Sequence, residues 1–166
     1  MSPATTNAIT PIVYGDTIIV STQDAGVSAF KPIKRNGQWT VQTIWQADKV
    51  ALKLSTPVLV GDTLYGLSHK NGGQLFALDA KTGIVLWLGK TRDATRNAGT
   101  AIVKSGDLLF LLNEDAELTV AKSSRTGFEP LHKYVVAETA TWAQPTISGN
   151  RIFVKDVSTL ALWTLN

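Results

Sequence analysis

Five cations fall in two stretches of the chain: Lys49 and Lys53 within Gln46–Ser55, and Lys90, Arg92 and Arg96 within Gly89–Gly99, set against Asp48 and Asp93. Grouped in this way they suit an acidic ligand or partner, and arginine suits it best because its planar fork grips both oxygens of a carboxylate. The alternative is ordinary solvated charge on loops. Trp142 stands three residues before Pro145, just upstream of a strand-like run. An indole there serves either as a partner anchor or stacking platform, or as a plug that fills the centre of a ring of sheets or packs between them. Asn113-Glu114-Asp115-Ala116-Glu117 offers oxygen ligands to a hard cation. It lacks the alternating Asp/Asn spacing and closing Glu of a dedicated calcium loop, and reads as a hairpin tip. His69 and His132 are the only histidines and there is no cysteine, which excludes disulfides, thiolate nucleophiles and multi-histidine metal centres. Each histidine reads as a solvated turn or strand residue. No Gly-x-Ser-x-Gly elbow, phosphate loop or His-Glu-x-x-His helix is present.

The elements that must carry these residues repeat. Four segments share one grammar: Thr10-Pro11-Ile12-Val13-Tyr14-Gly15-Asp16, Thr56-Pro57-Val58-Leu59-Val60-Gly61-Asp62, Thr100-Ala101-Ile102-Val103-Lys104-Ser105-Gly106-Asp107 and Gln144-Pro145-Thr146-Ile147-Ser148-Gly149-Asn150. The steps from Pro11 to Pro57, Ala101 and Pro145 are 46, 44 and 44 residues, the spacing of a four-stranded propeller blade. In each repeat a strand A follows the Thr-Pro, and Gly-Asp or Gly-Asn turns it into strand B at Thr17–Ser21, Thr63–Ser68, Leu108–Asn113 or Arg151–Lys155. Strand C is expected at Val27–Phe30, Gln74–Leu78, Glu117–Ala121 and Thr159–Trp163. No long 3.6-residue apolar period appears, so essentially no helix is expected. Repeat 1 stretches the connection from strand C to strand D through Lys31–Gln38, with Trp39 on this insertion. Trp39 and Trp163 read as packing residues.

Strand D of the second repeat carries a more specific pattern. Ala77-x-Asp79-x-x-Thr82-Gly83-x-x-x-Trp87 is similar to the tryptophan-docking motif of PQQ-type (quinoprotein) β-propeller repeats. In that family the Trp of an outer strand packs against the neighbouring blade while turn residues hold it. By this resemblance Trp45 takes the docking place of repeat 1. Repeat 3 keeps Thr126-Gly127 and reaches Tyr134, three positions late. The resemblance implies an all-β fold: a β-propeller of about four four-stranded antiparallel blades in one domain spanning residues 1–166. Its repeats fall at approximately 10–55, 56–99, 100–143 and 144–166. The last holds only three strands before Asn166. The expectation is therefore half of a larger ring, whose missing strand comes from sequence preceding Met1 or from a second copy. Two copies would make an eight-bladed ring.

In this topology the D–A connections, Gln46–Ser55, Gly89–Gly99 and Val135–Ala143, share one face with the B–C turns. Trp142, Lys53, Arg92 and Arg96 form the expected ligand or partner face, because loops on a rigid scaffold carry function. Hydrophobic residues make up 44% and charged residues 17% of the chain, a balance that excludes disorder. A formal net charge of +3 gives no case for nucleic acid, and no apolar run is long enough for a membrane helix. Met1–Asn7 has neither the basic nor the apolar region of a secretion signal.

The resemblance implies one of two functions. Non-enzymatic members hold a protein or peptide partner on loops or exposed edges, need no cofactor, and work in the bacterial periplasm or as secreted proteins. Quinoprotein dehydrogenases oxidise alcohols or sugars with PQQ and calcium in the channel. In the alcohol-oxidising members a vicinal cysteine pair stacks on the cofactor, which a chain without cysteine cannot supply. The first is the expected function and the second its alternative.

Overall fold

The computed structural model describes residues 8–90 and 99–165. Its blades all start from the same local chemistry. A short β-branched run ends in a two-residue loop whose first position is Gly15, Gly61, Gly106 or Gly149, with φ between 55° and 58°. A glycine with positive φ at that position makes a II′-type hairpin, whose twist matches the flanking strands. The first blade is β1 (Ile12–Tyr14), β2 (Thr17–Thr22), β3 (Gly26–Arg35) and β4 (Gln38–Ala47). The second is β5 (Val58–Val60), β6 (Thr63–Ser68), β7 (Gln74–Asp79) and β8 (Val85–Leu88). The third is β9 (Thr100–Ser105), β10 (Leu108–Asn113), β11 (Glu117–Lys122) and β12 (Glu129–Val135). The fourth has three strands: β13 (Thr146–Ser148), β14 (Arg151–Lys155) and β15 (Leu160–Thr164). Each sheet is an antiparallel meander in sequence order, so every strand neighbours the one before it. The one helical element among the described residues is a three-residue 3-10 turn, Lys70–Gly72, between β6 and β7.

Strand alternation builds the core. In β10, Leu109 and Leu111 point toward the second blade and pack with its Tyr65 and Ala77 and with Ile102 of the neighbouring β9. Phe110 and Leu112 point the other way and meet Leu118, Ile152 and Val154 of the third and fourth blades. A strand buried on both faces is a near-continuous apolar run, which is why Leu108-Leu109-Phe110-Leu111-Leu112 has no polar interruption. Between the first and second blades Ile19, Val27 and Ala29 pack against Leu64, Phe76 and Leu78, with Val50 and Leu52 of the intervening connection. Each such buried Leu, Ile or Phe contributes about 1.5–3 kcal/mol.

The outermost faces stay uncovered among the described residues. On the first blade Val13, Ile18 and Phe30 form a cross-strand row, and Val13 is 69% exposed. On the fourth, Phe153 pairs with Leu162 and Lys155 with Leu160, and both leucines are exposed.

One expectation is corrected. Lys31–Gln38 is not a loop insertion. β3 and β4 continue through it as a paired ribbon closed by Asn36-Gly37, with Arg35 opposite Gln38 and Lys34 opposite Trp39. Trp39 is no packing residue: it is 67% exposed. Asn36 and Gly37 both take positive φ, the turn that asparagine-glycine favours. The alternation of polar and apolar residues along Lys31–Gln38 is weak, and the strand signal was lost in it.

Candidate functional site

The seams between blades are organised by indoles. Trp45, on the outer strand of the first blade, is 9% exposed and donates its Nε1 hydrogen to the Ala80 carbonyl at 3.0 Å. Its ring lies on Gly83, where a Cβ would stand 2.6 Å from the ring. The Asp79 carboxylate shapes that socket. Its Oδ1 accepts from the Lys81 amide (3.1 Å), the Thr82 amide (3.0 Å) and the Thr82 hydroxyl (2.9 Å). Arg125 of the third blade donates to its Oδ2 at 2.7 Å. Arg125 and, after it, the Thr82 bonds hold the Asp79 carboxyl below its ordinary value, against a smaller opposing effect of burial. Trp87 serves the next seam: its Nε1 donates to the Ser124 carbonyl at 2.9 Å, and its ring sits tilted between Tyr65 and Phe128, 6.3 Å from each. The turn and the tryptophan of one motif therefore act at different seams, the turn receiving the indole of the preceding blade. Ala77, fully buried opposite Trp87, leaves room for that ring. Tyr134 pairs with Leu118 and stays half exposed beside His132. Trp163 donates to the Val136 carbonyl at 3.0 Å.

The D–A connections and B–C turns meet on one face, tied by buried hydroxyls that no sequence pattern singled out. Ser21 Oγ accepts from the Leu52 amide at 2.9 Å, Ser68 Oγ from Ala51 at 3.1 Å and Ser55 Oγ from Thr100 at 3.2 Å. Thr141 donates its hydroxyl to the Asn113 carbonyl at 2.5 Å and its amide to the Glu114 carbonyl at 3.1 Å. Thr141 is itself buried, and it fixes the backbone that presents its neighbour. Trp142 is 80% exposed, so it plugs nothing among the described residues. It lines a cleft of about 490 Å³ together with Leu54, Thr56, Glu114, Thr141 and Gln144. Leu54, 62% exposed, was not anticipated, since a lone leucine in a basic stretch carries no sequence signal. Lys53 is half-buried on the same connection and does not line the cleft. Arg92 and Arg96 lie outside the described residues.

The acidic hairpin tip does not fit a calcium ion. Asn113 Oδ1 already accepts from the amides of Asp115 (3.1 Å) and Glu117 (2.9 Å), and Glu117 pairs with Lys133 at 2.8 Å. Among the described residues no three His, Cys, Asp or Glu side chains converge as a metal site.

Blades stacked face to face, with outer-strand indoles seated in the next blade's turn, define a partial β-propeller of PQQ-like repeats. The family described as outer membrane protein assembly factor BamB matches residues 2–166, and the chain belongs to it. BamB from Moraxella catarrhalis superposes with a TM-score of 0.66 at 16% identity, over 90% of this chain and 43% of that one. The computationally designed Ika4 protein gives 0.72 at 10% identity, over 100% of this chain and 96% of that one. A europium-containing methanol dehydrogenase gives 0.62 at 16% identity, over 86% of this chain and 34% of that one. The chain thus spans less than half of the BamB and dehydrogenase structures. No curated protein sequence matches it significantly. Among the described residues no helix is long and apolar enough to cross a membrane.

Proposed function

We propose that the chain is a non-catalytic binding scaffold of the bacterial cell envelope, periplasmic or secreted, that holds a protein or peptide segment on its connection-bearing face. The observation that carries this reading is Trp142, an indole left in solvent on a bed of hydrogen-bonded, buried backbone. Exposed, rigidly mounted tryptophans are the residue type most often found as interface anchors. Leu54 supplies apolar area beside it, and Glu114, Gln144 and Thr56 supply the polar rim. Lys53 adds a positive charge to the connection that carries Leu54, and the sequence puts Arg92 and Arg96 in the next such connection. The family's description as an assembly factor is in keeping with a protein partner. The uncovered faces of the first and fourth blades are to be closed by further blades, from a second copy or from a longer chain.

The test is retention of envelope proteins on the immobilised chain, compared between wild type and Trp142→Ala. A partner held by the wild type, lost from Trp142→Ala, and quenching Trp142 fluorescence when added back as a purified peptide supports the scaffold. Saturable binding of PQQ with calcium, together with dye reduction on adding glucose or ethanol, would instead establish the dehydrogenase reading.

A further inference from the structure

Outer strands of this fold expose one edge of unpaired backbone N–H and C=O groups, and natural proteins blunt such edges by keeping them short or by placing Lys or Pro on them. Two of the outer strands follow that rule. β8 has four residues. β12 has seven but carries Glu129, Pro130 and Lys133. β4 does neither. It runs for ten residues, Gln-Trp-Thr-Val-Gln-Thr-Ile-Trp-Gln-Ala, without a charge or a proline. Trp39, Thr40, Val41, Thr43 and Ile44 are strand formers, and all are exposed. Among the described residues β4 pairs only with β3, and a bulge near Ile44 disturbs only its inner part.

The strand also projects. β2 accompanies β3 only as far as Phe30, so the ribbon from Lys31 to Gln42 stands free of the blade by about 16 Å. Its two faces differ in chemistry. Pro32, Lys34, Trp39 and Val41 share one face, with Lys34 Nζ lying 5.6 Å from the Trp39 ring centroid. Lys31, Ile33, Arg35, Gln38, Thr40 and Gln42 share the other. Between Gly26 and Ala47 there are three cations and no Asp or Glu. Lys31 is paired with Asp16, while Lys34 and Arg35 point into solvent.

We propose that the free edge of β4 is a docking site for an extended, acidic segment of a partner protein, which adds to the first blade as a further antiparallel or parallel strand. This rests on the scaffold reading and assigns it a second surface, separate from the Trp142 cleft. Backbone pairing supplies the affinity and alternate side chains the selectivity, as in other strand-addition complexes. Apolar residues of the segment pack beside Trp39 and Val41. Its carboxylates, on the other face, reach across Gln38 toward Arg35.

The experiment uses the full chain, 15N-labelled, and a blocked decapeptide alternating glutamate and valine. The expected result is a saturable shift of the β4 amides below about 1 mM peptide, with slowed hydrogen exchange at alternate β4 positions. Val41→Glu, at an exposed site, is expected to weaken binding at least about fivefold by setting a charge against the valines of the segment in place of an apolar cross-strand pair, while Trp142→Ala leaves it unchanged. The lysine–valine decapeptide is expected to bind more weakly than the glutamate peptide. Equal binding of the two, or no saturable shift, overturns the proposal. Shifts confined to Leu54 and Trp142 also overturn it, and leave the scaffold reading standing on its own retention test. Protection of β4 amides without any peptide would mean that the edge pairs with a second copy, which overturns the heterologous partner as well.

Discussion

Gly83→Ala tests the seating of Trp45 more directly than any change to the indole itself. Gly83 has φ +75°, and a Cβ built there meets Cε3, Cδ2 and Cγ of Trp45 at 2.6, 2.7 and 3.0 Å. Two penalties follow. Holding alanine in the left-handed region costs about 1–2 kcal/mol. Displacing a packed ring costs about 1–3 kcal/mol more, because Trp45 is pinned by its bond to Ala80 and buried between blades. Together these come to about 3 kcal/mol. Gly61→Ala separates the two effects: φ there is +55° with nothing within 4 Å of the added Cβ, so only the backbone penalty of about 1–2 kcal/mol applies. The assay is equilibrium urea unfolding followed by tryptophan fluorescence and by circular dichroism. The expected gap between the two variants is roughly 2 kcal/mol. It should shrink when Trp45 is replaced by Phe, a coupling that a double-mutant cycle reads out. Equal losses for Gly83→Ala and Gly61→Ala would mean that the ring does not occupy the socket, and the account of the seam would fall.

Asp79 makes that seam sensitive to acid. Its carboxyl is held below the ordinary value, chiefly by Arg125, so the stability it lends is complete above the unfolded carboxyl value of about 3.9. It is lost as pH falls through the lower folded value. Asp79→Asn should flatten the acid limb of the stability-versus-pH curve below about pH 4; an unchanged limb would place the acid sensitivity elsewhere. Light scattering over a concentration series reports how the open faces are closed. A mass twice the 17.9 kDa of one chain is expected if two copies complete the ring. A concentration-independent monomer excludes that closure and leaves an open half-ring or a ring closed by four blades alone.

The fold was legible because its grammar is local. Thr-Pro before a β-branched run, then Gly-Asp, encodes an edge-initiating strand and a two-residue hairpin without help from distant contacts, and it stays recognisable although the third repeat has Ala101 for the proline and the fourth has Gln144 and Asn150 for the Thr and Asp. The buried five-residue apolar run of β10 was equally plain, since only a strand covered on both faces tolerates it. The ribbon was not legible for the opposite reason. Residues 31–42 pair with each other and none of them is buried, so no buried face imposed a period of two on their composition, and Pro32 and three cations read as loop. What fixes them as strand is the Asn36-Gly37 turn and the cross-strand pairing itself.

The site divides along similar lines. Trp142 drew notice by type, and it is exposed on a connection that the Thr141 hydroxyl locks to the Asn113 carbonyl. The same logic applies to Ser21, Ser55 and Ser68. Each is a small hydroxyl in a strand or connection, ordinary by sequence, that satisfies a buried amide of another segment. Replacing one with alanine would leave that amide unpaired, at about 1–3 kcal/mol. A binding face of this kind is therefore specified less by the residues that would touch a partner than by the buried hydroxyls that hold the connections rigid. Neither exposed residues such as Leu54 nor the hydroxyls beneath them carry a motif, because each hydroxyl acts through a bond to a distant segment that only the folded chain makes.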